Sequence, residues 1–181
     1  LHSFRDMTTI PIPGTEEENG GDFSISPDGQ EVAYLAYATP LQPGPLKVVS
    51  LLGGAPRTVV SVAGCCPLWG RDGFIYYNSV SLKDNLWATS VSRVSAEGGE
   101  PELVIESGVG VFVAPTGLTR DGEVLLILSL GIGEEINPEA RAVRLRDGRD
   151  TLLLRGAVGA VELSTGDLAF VNQGGGLEGA R

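Results

Sequence analysis

Phe23-Ser-Ile-Ser-Pro-Asp-Gly29, followed by Glu31-Val-Ala-Tyr-Leu-Ala-Tyr37, decides how this chain is read. Two apolar runs flank a turn. Pro presets φ at the second turn position, Asp bonds the local backbone and Gly accepts positive φ. Asp-Gly between strand-like runs is a hairpin signal. Working outward, the signal returns. Gly70-Arg-Asp-Gly73 stands between Leu68-Trp69 and Phe74-Ile-Tyr-Tyr77. Thr119-Arg-Asp-Gly122 stands between Leu118 and Glu123-Val-Leu-Leu-Ile-Leu128. Ser164-Thr-Gly-Asp167 follows Val161 and Leu163 and opens Asp167-Leu-Ala-Phe-Val171. The glycines at 29, 73, 122 and 166 are 44, 49 and 44 residues apart.

A second repeated element keeps the same period. Gly53-Gly-Ala-Pro56 precedes Thr58-Val-Val60, and Gly98-Gly-Glu-Pro101 precedes Leu103-Val-Ile105, 45 residues later. Asp147-Gly-Arg-Asp150 before Leu152-Leu-Leu154 is a weaker third copy. Each unit reads strand, Asp-Gly turn, strand, loop, strand, Gly-rich turn, short strand. Four antiparallel strands per ~45 residues match a propeller blade. No segment has helical periodicity. In Asn85 to Ser95, Trp87, Thr89, Val91 and Arg93 alternate, which predicts a long strand, straight or kinked.

The expected fold is therefore all-β: a β-propeller segment of four-stranded antiparallel blades. About four blades are represented, within a larger ring of six or more. Residues 1–21 are read as the end of a preceding blade and a connector, 22–63, 64–108 and 109–157 as blades, and 158–181 as a partial blade. The start at Leu1 and the stop at Arg181 predict a piece of a longer product. Such a piece leaves two sheet faces open and is expected to self-associate.

The chain has 181 residues, about one domain's length. It is 42% hydrophobic and 20% charged, which excludes a disordered chain. With 13 Lys+Arg against 23 Asp+Glu, the net charge of -10 argues against nucleic acid or an anionic membrane as partner. The strongest apolar run, Val124 to Leu128, is far short of the ~20 residues of a spanning helix. Leu1 to Ile10 carries Arg5 and Asp6 and no apolar signal core.

The Ser-Pro-Asp-Gly turn between apolar strands resembles the PD40, or WD40-like, repeat of TolB-type propellers. Further tracts extend the likeness: Pro11-Ile-Pro-Gly-Thr-Glu16, Trp69-Gly-Arg-Asp-Gly-Phe-Ile75, Leu86-Trp87 and Val94-Ser-Ala-Glu-Gly-Gly-Glu-Pro-Glu-Leu-Val104. Together they resemble the propellers on the C-terminal side of bacterial transmembrane serine/threonine protein kinases, over almost the whole chain. Gly70-Arg71 and Thr119-Arg120 depart from the usual Ser-Pro, and Gly131 to Glu139 is an insertion. The resemblance implies an extracytoplasmic or periplasmic sensing or binding module. It implies a protein, peptide or small-molecule ligand, contact with the remaining blades of the parent chain, and no membrane insertion by this segment. Two alternatives are a propeller gating a prolyl-oligopeptidase-type serine peptidase and a free periplasmic TolB-like scaffold. No kinase element is present: no Gly-rich loop before a strand Lys, no His-Arg-Asp, no Asp-Phe-Gly.

Candidate sites are sparse. His2 is the only histidine, so neither a Ser-His-Asp triad nor a His-ligated metal is expected. No catalytic residue, cofactor or metal is assigned. Gly174-x-Gly176-x-x-Gly179 matches a dinucleotide fingerprint in form, but no helix can follow it. Glu16-Glu17-Glu18 with Asp22 is read as a solvated connector rather than a calcium site. Inserted propeller loops often carry binding, so Glu134, Glu135, Asn137 and Glu139 are the binding candidates. Arg141, Arg144, Arg146, Arg149 and Arg155, interleaved with Asp147 and Asp150, are read as a charged outer strand, with an anion patch as the alternative. Trp69, Tyr76, Tyr77 and Trp87 are large enough to anchor a ligand, although packing between blades is the expected use of Trp69 and one tyrosine. Asp28, Asp72 and Asp121 are read as turn formers. Cys65 and Cys66 are neighbours with no further Cys or nearby His, which does not make a tetrahedral zinc site, and a disulfide between them is possible but strained. The expectation is one thiol in a blade core and one facing the other way.

Overall fold

A computed structural model describes residues 2–3, 8–16, 19–37, 42–83, 86–131, 137–172 and 177–180. Every regular element among them is a strand. A short pair, β1 (His2–Ser3) and β2 (Thr8–Thr9), comes first. The first blade holds β3 (Asn19–Ile25), β4 (Glu31–Tyr37), β5 (Gly44–Ser50) and β6 (Arg57–Ala63). The second holds β7 (Cys65–Trp69), β8 (Phe74–Lys83), β9 (Leu86–Ser95) and β10 (Glu102–Glu106). The third holds β11 (Val111–Leu118), β12 (Val124–Gly131), β13 (Pro138–Arg144) and β14 (Arg149–Arg155). The fourth sheet holds β15 (Ala157–Glu162), β16 (Leu168–Asn172) and β17 (Leu177–Ala180). Each sheet is an antiparallel meander in chain order. The expected propeller blades are present, and the long run before Ser95 is one continuous strand, β9.

Local chemistry explains the hairpins. Gly29, Gly73, Gly122 and Gly166 all sit at φ between 71° and 87°, where only glycine is unstrained. In the first turn, Ser26 Oγ donates to Asp28 Oδ1 at 2.6 Å, and the Gln30 N–H donates to the same oxygen at 3.0 Å. In the third, Thr119 Oγ1 donates to Asp121 Oδ1 at 2.6 Å, and the Glu123 N–H donates to the same oxygen at 3.0 Å. Asp28, Asp72 and Asp121 are thus turn formers, as the sequence implied. The second turn lacks the hydroxyl residue. A Cβ at position 70 would meet the Asp72 carboxylate and Leu118 of the next blade, so glycine stands there. Tyr76 Oη supplies the missing bond, donating to Asp72 Oδ2 at 2.6 Å.

The blades pack face to face. Between the first and second lie Leu35, Leu46, Val48, Ile75, Tyr77 and Val94, with Trp69 half-buried against them. Between the second and third lie Tyr76, Val91, Val113, Leu125, Ile127 and Val143. Tyr76 and Tyr77 are adjacent on β8 and point to opposite faces, so each fills a different seam. Fully burying an aliphatic or aromatic side chain contributes about 1.5–3 kcal/mol. These two seams therefore hold most of the stabilisation. Leu126, Ala140, Ala157, Ala160 and Phe170 make a smaller third seam.

Strands β3, β7, β11 and β15 touch one another in series and line the inner side of the array. Side chains stitch neighbouring blades together across the seams. Ser24 Oγ accepts the Trp69 N–H at 2.9 Å, Thr89 Oγ1 accepts the Val113 N–H at 2.9 Å, and Glu162 accepts the Arg120 N–H at 2.7 Å. The first and fourth sheets each keep part of an apolar face uncovered, although on the first Val32, Tyr34 and Val49 are buried against Ile12 of the preceding segment. Phe23 and Ile25 are 65% and 51% exposed on one, and Val161 and Val171 stand on the other. The chain is therefore an open array of blades rather than a closed ring.

Candidate functional site

Each blade has two ends. The Asp-Gly turns and the Gly53-Gly54 and Gly98-Gly99 turns lie at one. The starts of the inner strands lie at the other, beside the β4–β5, β8–β9 and β12–β13 connections. The inserted loop belongs to this second end. Glu134 and Glu135 fall outside the described residues. Asn137 is exposed. Glu139 is not a free ligand group: it accepts from Arg141 at 2.7 Å and from Arg155 at 3.1 Å. Arg141 also pairs with Asp150 at 2.9 Å, and Arg144 with Asp147 at 3.3 Å. The arginine-rich stretch is thus an ion-pair lattice on β13, β14 and the turn between them, and four of its five arginines have a carboxylate partner, Arg146 at 3.9 Å from Asp147 included.

Other sequence candidates are dispersed. Glu16 accepts the Gly14 N–H at 2.9 Å, whereas Asp22 faces the second blade. Glu17 and Glu18 lie outside the described residues. So do Gly174 and Gly176, while Gly179 sits in β17, a strand and not a helix. Tyr76 and Tyr77 are core. Trp87 lies on β9, and its side chain is outside what is described.

What the structure does bring together was not foreseen. Cys65 and Cys66 are joined as a disulfide, correcting the expectation of two thiols on opposite faces. The reason is local. Alternation holds only while the chain stays extended, and Cys66 turns to φ 63°, within a register shift between Cys65 and Leu68. Both side chains then point to one side. The Cys66 N–H donates to Asp22 Oδ2 of β3 at 3.1 Å, which holds this turn against the neighbouring blade. The two sulfurs and an Asp22 carboxylate oxygen lie within 4.8 Å of one another.

These three residues form one wall of a cavity of about 440 Å³. Tyr37, Val80 and Phe112 supply apolar surface, and Asn78 and Thr89 line its inner side. Asn78 is only 1% exposed, and its Nδ2 donates to the Val113 carbonyl at 2.6 Å. Gly64 is required here because a Cβ would fall on the Asn78 amide oxygen. Tyr37 Oη donates to the Gly64 carbonyl at 3.4 Å, and burial, with the nearby Asp22 charge, pushes its hydroxyl above the ordinary value. A neutral phenol, one carboxylate and a disulfide against an apolar wall can bind. The described lining offers no activated nucleophile beside a base. Asp22 and Cys65 are 43 residues apart in sequence, so only the pairing of neighbouring blades reveals them as partners.

No family profile and no curated relative matches this sequence. Solved structures do match in shape. A TolB candidate from Agrobacterium tumefaciens aligns with a TM-score of 0.68 at 18% identity, over 90% of this chain and 57% of that one. Prolyl endopeptidases described for their inter-domain dynamics align at 0.64 and 19% identity, over 91% of this chain and 26% of theirs. An oligogalacturonate lyase in complex with manganese aligns at 0.59 and 11% identity, over 93% of this chain and 54% of that one. The chain thus spans a little over half of the first of these structures. At such identities the likeness establishes a TolB-like β-propeller fold.

Proposed function

We propose that this chain is part of a non-catalytic ligand- or protein-binding β-propeller, the extracytoplasmic sensor portion of a bacterial serine/threonine protein kinase. The observation that carries the binding reading is the cavity at the inner-strand starts. It combines apolar walls with a single carboxylate, and it lies at the end where the inserted loop after Gly131 also emerges. Pockets of this composition orient small molecules or peptide side chains. Asn137, exposed in the connection at the same end, is a further candidate contact, and Glu139 beside it is held by Arg141 and Arg155. The kinase attachment is supported by the repeat chemistry of the turns and by the tracts around Trp69 and Val94. The fold alone carries many functions.

The test is to sequence the source DNA outward from both ends of this reading frame. A kinase domain and a ~20-residue apolar helix upstream of Leu1 would establish the sensor. A Gly-x-Ser-x-Gly elbow downstream of Arg181, without a kinase, would make this the gating propeller of a serine peptidase and overturn the proposal.

A further inference from the structure

We propose that Cys65, Cys66 and Asp22 form a redox-gated site for a thiophilic divalent cation such as zinc or cadmium. The proposal stands on the geometry of these residues and does not depend on the kinase attachment.

The donor set comes first. Zinc takes Cys sulfur and Asp oxygen, and thiolates select soft cations. The two sulfurs, bonded to each other in the disulfide, and one carboxylate oxygen lie within 4.8 Å of one another, so breaking the S–S bond leaves three ligand atoms within reach of one ion. Two neighbouring cysteines alone are too few ligands, and the third arrives from a different blade.

Placement comes second. Cys66 is held at φ 63° with its N–H on Asp22 Oδ2 at 3.1 Å, so the carboxylate already faces the pair. Three residues further along β7, the Trp69 N–H donates to Ser24 Oγ on β3 at 2.9 Å. The two ligand-bearing strands are thus tied together beside the site, and the site rests on strands rather than on a loop.

Access comes third. The same three residues border the 440 Å³ cavity, which provides an entry path and room for solvent or a ligand atom at the fourth position. No lysine or arginine is among the described lining residues, and the whole chain carries a net charge of -10, so the local field favours a cation.

The gate is the disulfide itself. A small dithiol reductant transfers two electrons and two protons to the Cys65–Cys66 bond. The S–S bond breaks, two thiols form, and the reductant leaves as its own cyclic disulfide. Binding of the cation then releases both thiol protons to solvent. Reoxidation by a disulfide acceptor reforms the bond and expels the cation. The oxidised chain offers only Asp22, which is too few ligands to retain a soft ion.

The test uses the full chain and cadmium alone as the probe. The chain is reduced with a dithiol, freed of excess reductant without oxygen, and titrated. The expected result is one equivalent bound per chain, with thiolate-to-cadmium charge-transfer absorption and proton release. The oxidised chain should show neither. Asp22→Asn keeps an acceptor for the Cys66 N–H but removes the charge, and should weaken binding by about tenfold or more, at least what losing an orienting partner costs. Cys66→Ser should abolish the absorption. A reduced chain that binds no cadmium overturns the proposal. So does unchanged affinity in Asp22→Asn with an unchanged circular dichroism spectrum, because the pair would then act without the carboxylate. A failed titration leaves the sensor reading intact, and a missing kinase leaves the titration intact.

Discussion

At the turn end, residues 26–31 and 119–124 use the same hydroxyl–carboxylate–backbone bonds twice, and residues 70–76 reach the same shape with a tyrosine in place of the serine. At the cavity end, Asp22, the Cys65–Cys66 disulfide and Phe112 stand near the starts of three inner strands with three unrelated chemistries. The turn end is uniform because a hairpin of this width admits few solutions: a carboxylate cap and a glycine at positive φ. The other end is not constrained in that way. Its residues need only avoid breaking the seams, so they are available for binding.

The largest expected effect lies at the cavity end. Gly64→Ala drives a methyl group onto the Asn78 amide oxygen, and Asn78 is fixed to the Val113 carbonyl and cannot give way. Overpacking of this kind costs about 1–3 kcal/mol, read as a fall in the urea midpoint. A midpoint like that of the parent would mean that this end is plastic and would undo the contrast. At the turn end, Gly29→Ala and Gly122→Ala meet no neighbouring atom, so only the backbone resists. Their φ values of 71° and 73° predict nearly equal costs of about 1 kcal/mol each. Thermal melts that separate them widely would show that the turns are not equivalent. Tyr76→Phe removes the bond that substitutes for the missing hydroxyl in the second blade, at about 1 kcal/mol. Chemical denaturation should place its loss close to that of the glycine variants.

Acid sharpens the comparison further. The Ser26 and Thr119 hydroxyls, followed by backbone N–H groups, hold the Asp28 and Asp121 carboxyls below their ordinary 3.8. A depressed folded-state value contributes stability that is present above the ordinary value and is lost as pH falls through the folded one. The Asp28→Asn, Asp121→Asn double variant should therefore lose less stability than the parent between about pH 5 and about pH 3. Equal acid sensitivity would remove these turns from the account. The smallest effect belongs to the disulfide. A bond between neighbours closes almost no loop, so reduction should change global stability by less than about 1 kcal/mol. Amide resonances of Cys66 and Asp22 should still move. A large drop in melting temperature on reduction would assign the bond a structural role.

The blades were legible because their signals are local: an Asp-Gly turn, alternating runs, and a double glycine one period later. The binding surface was far less legible. The inserted loop pointed to Glu139, yet Arg141 and Arg155 claim its carboxylate from β13 and β14. Alternation put the two cysteines on opposite faces, and one residue at positive φ reversed that. Asp22 read as part of an acidic connector because its partner, the Cys66 amide, belongs to the next blade. Contacts between blades are set by stacking, and no local pattern records them.

The stacking order also governs how the molecule comes apart. Among the described residues the second and third blades are packed between neighbouring blades on both faces, with Tyr77 and Tyr76 back to back in the seams of the second, whereas the outer face of the first is covered in part by Ile12. An array of this kind behaves like a short row of coupled plates, each steadied by its neighbours. Loosening enters from the outer plates, by way of Phe23 and Ile25 on one flank and Val161 and Val171 on the other. Cys65 and Cys66 belong to a plate shielded on both sides, but Asp22 and Tyr37 across the cavity belong to the outer first plate, so the cavity loses one wall as soon as that plate loosens.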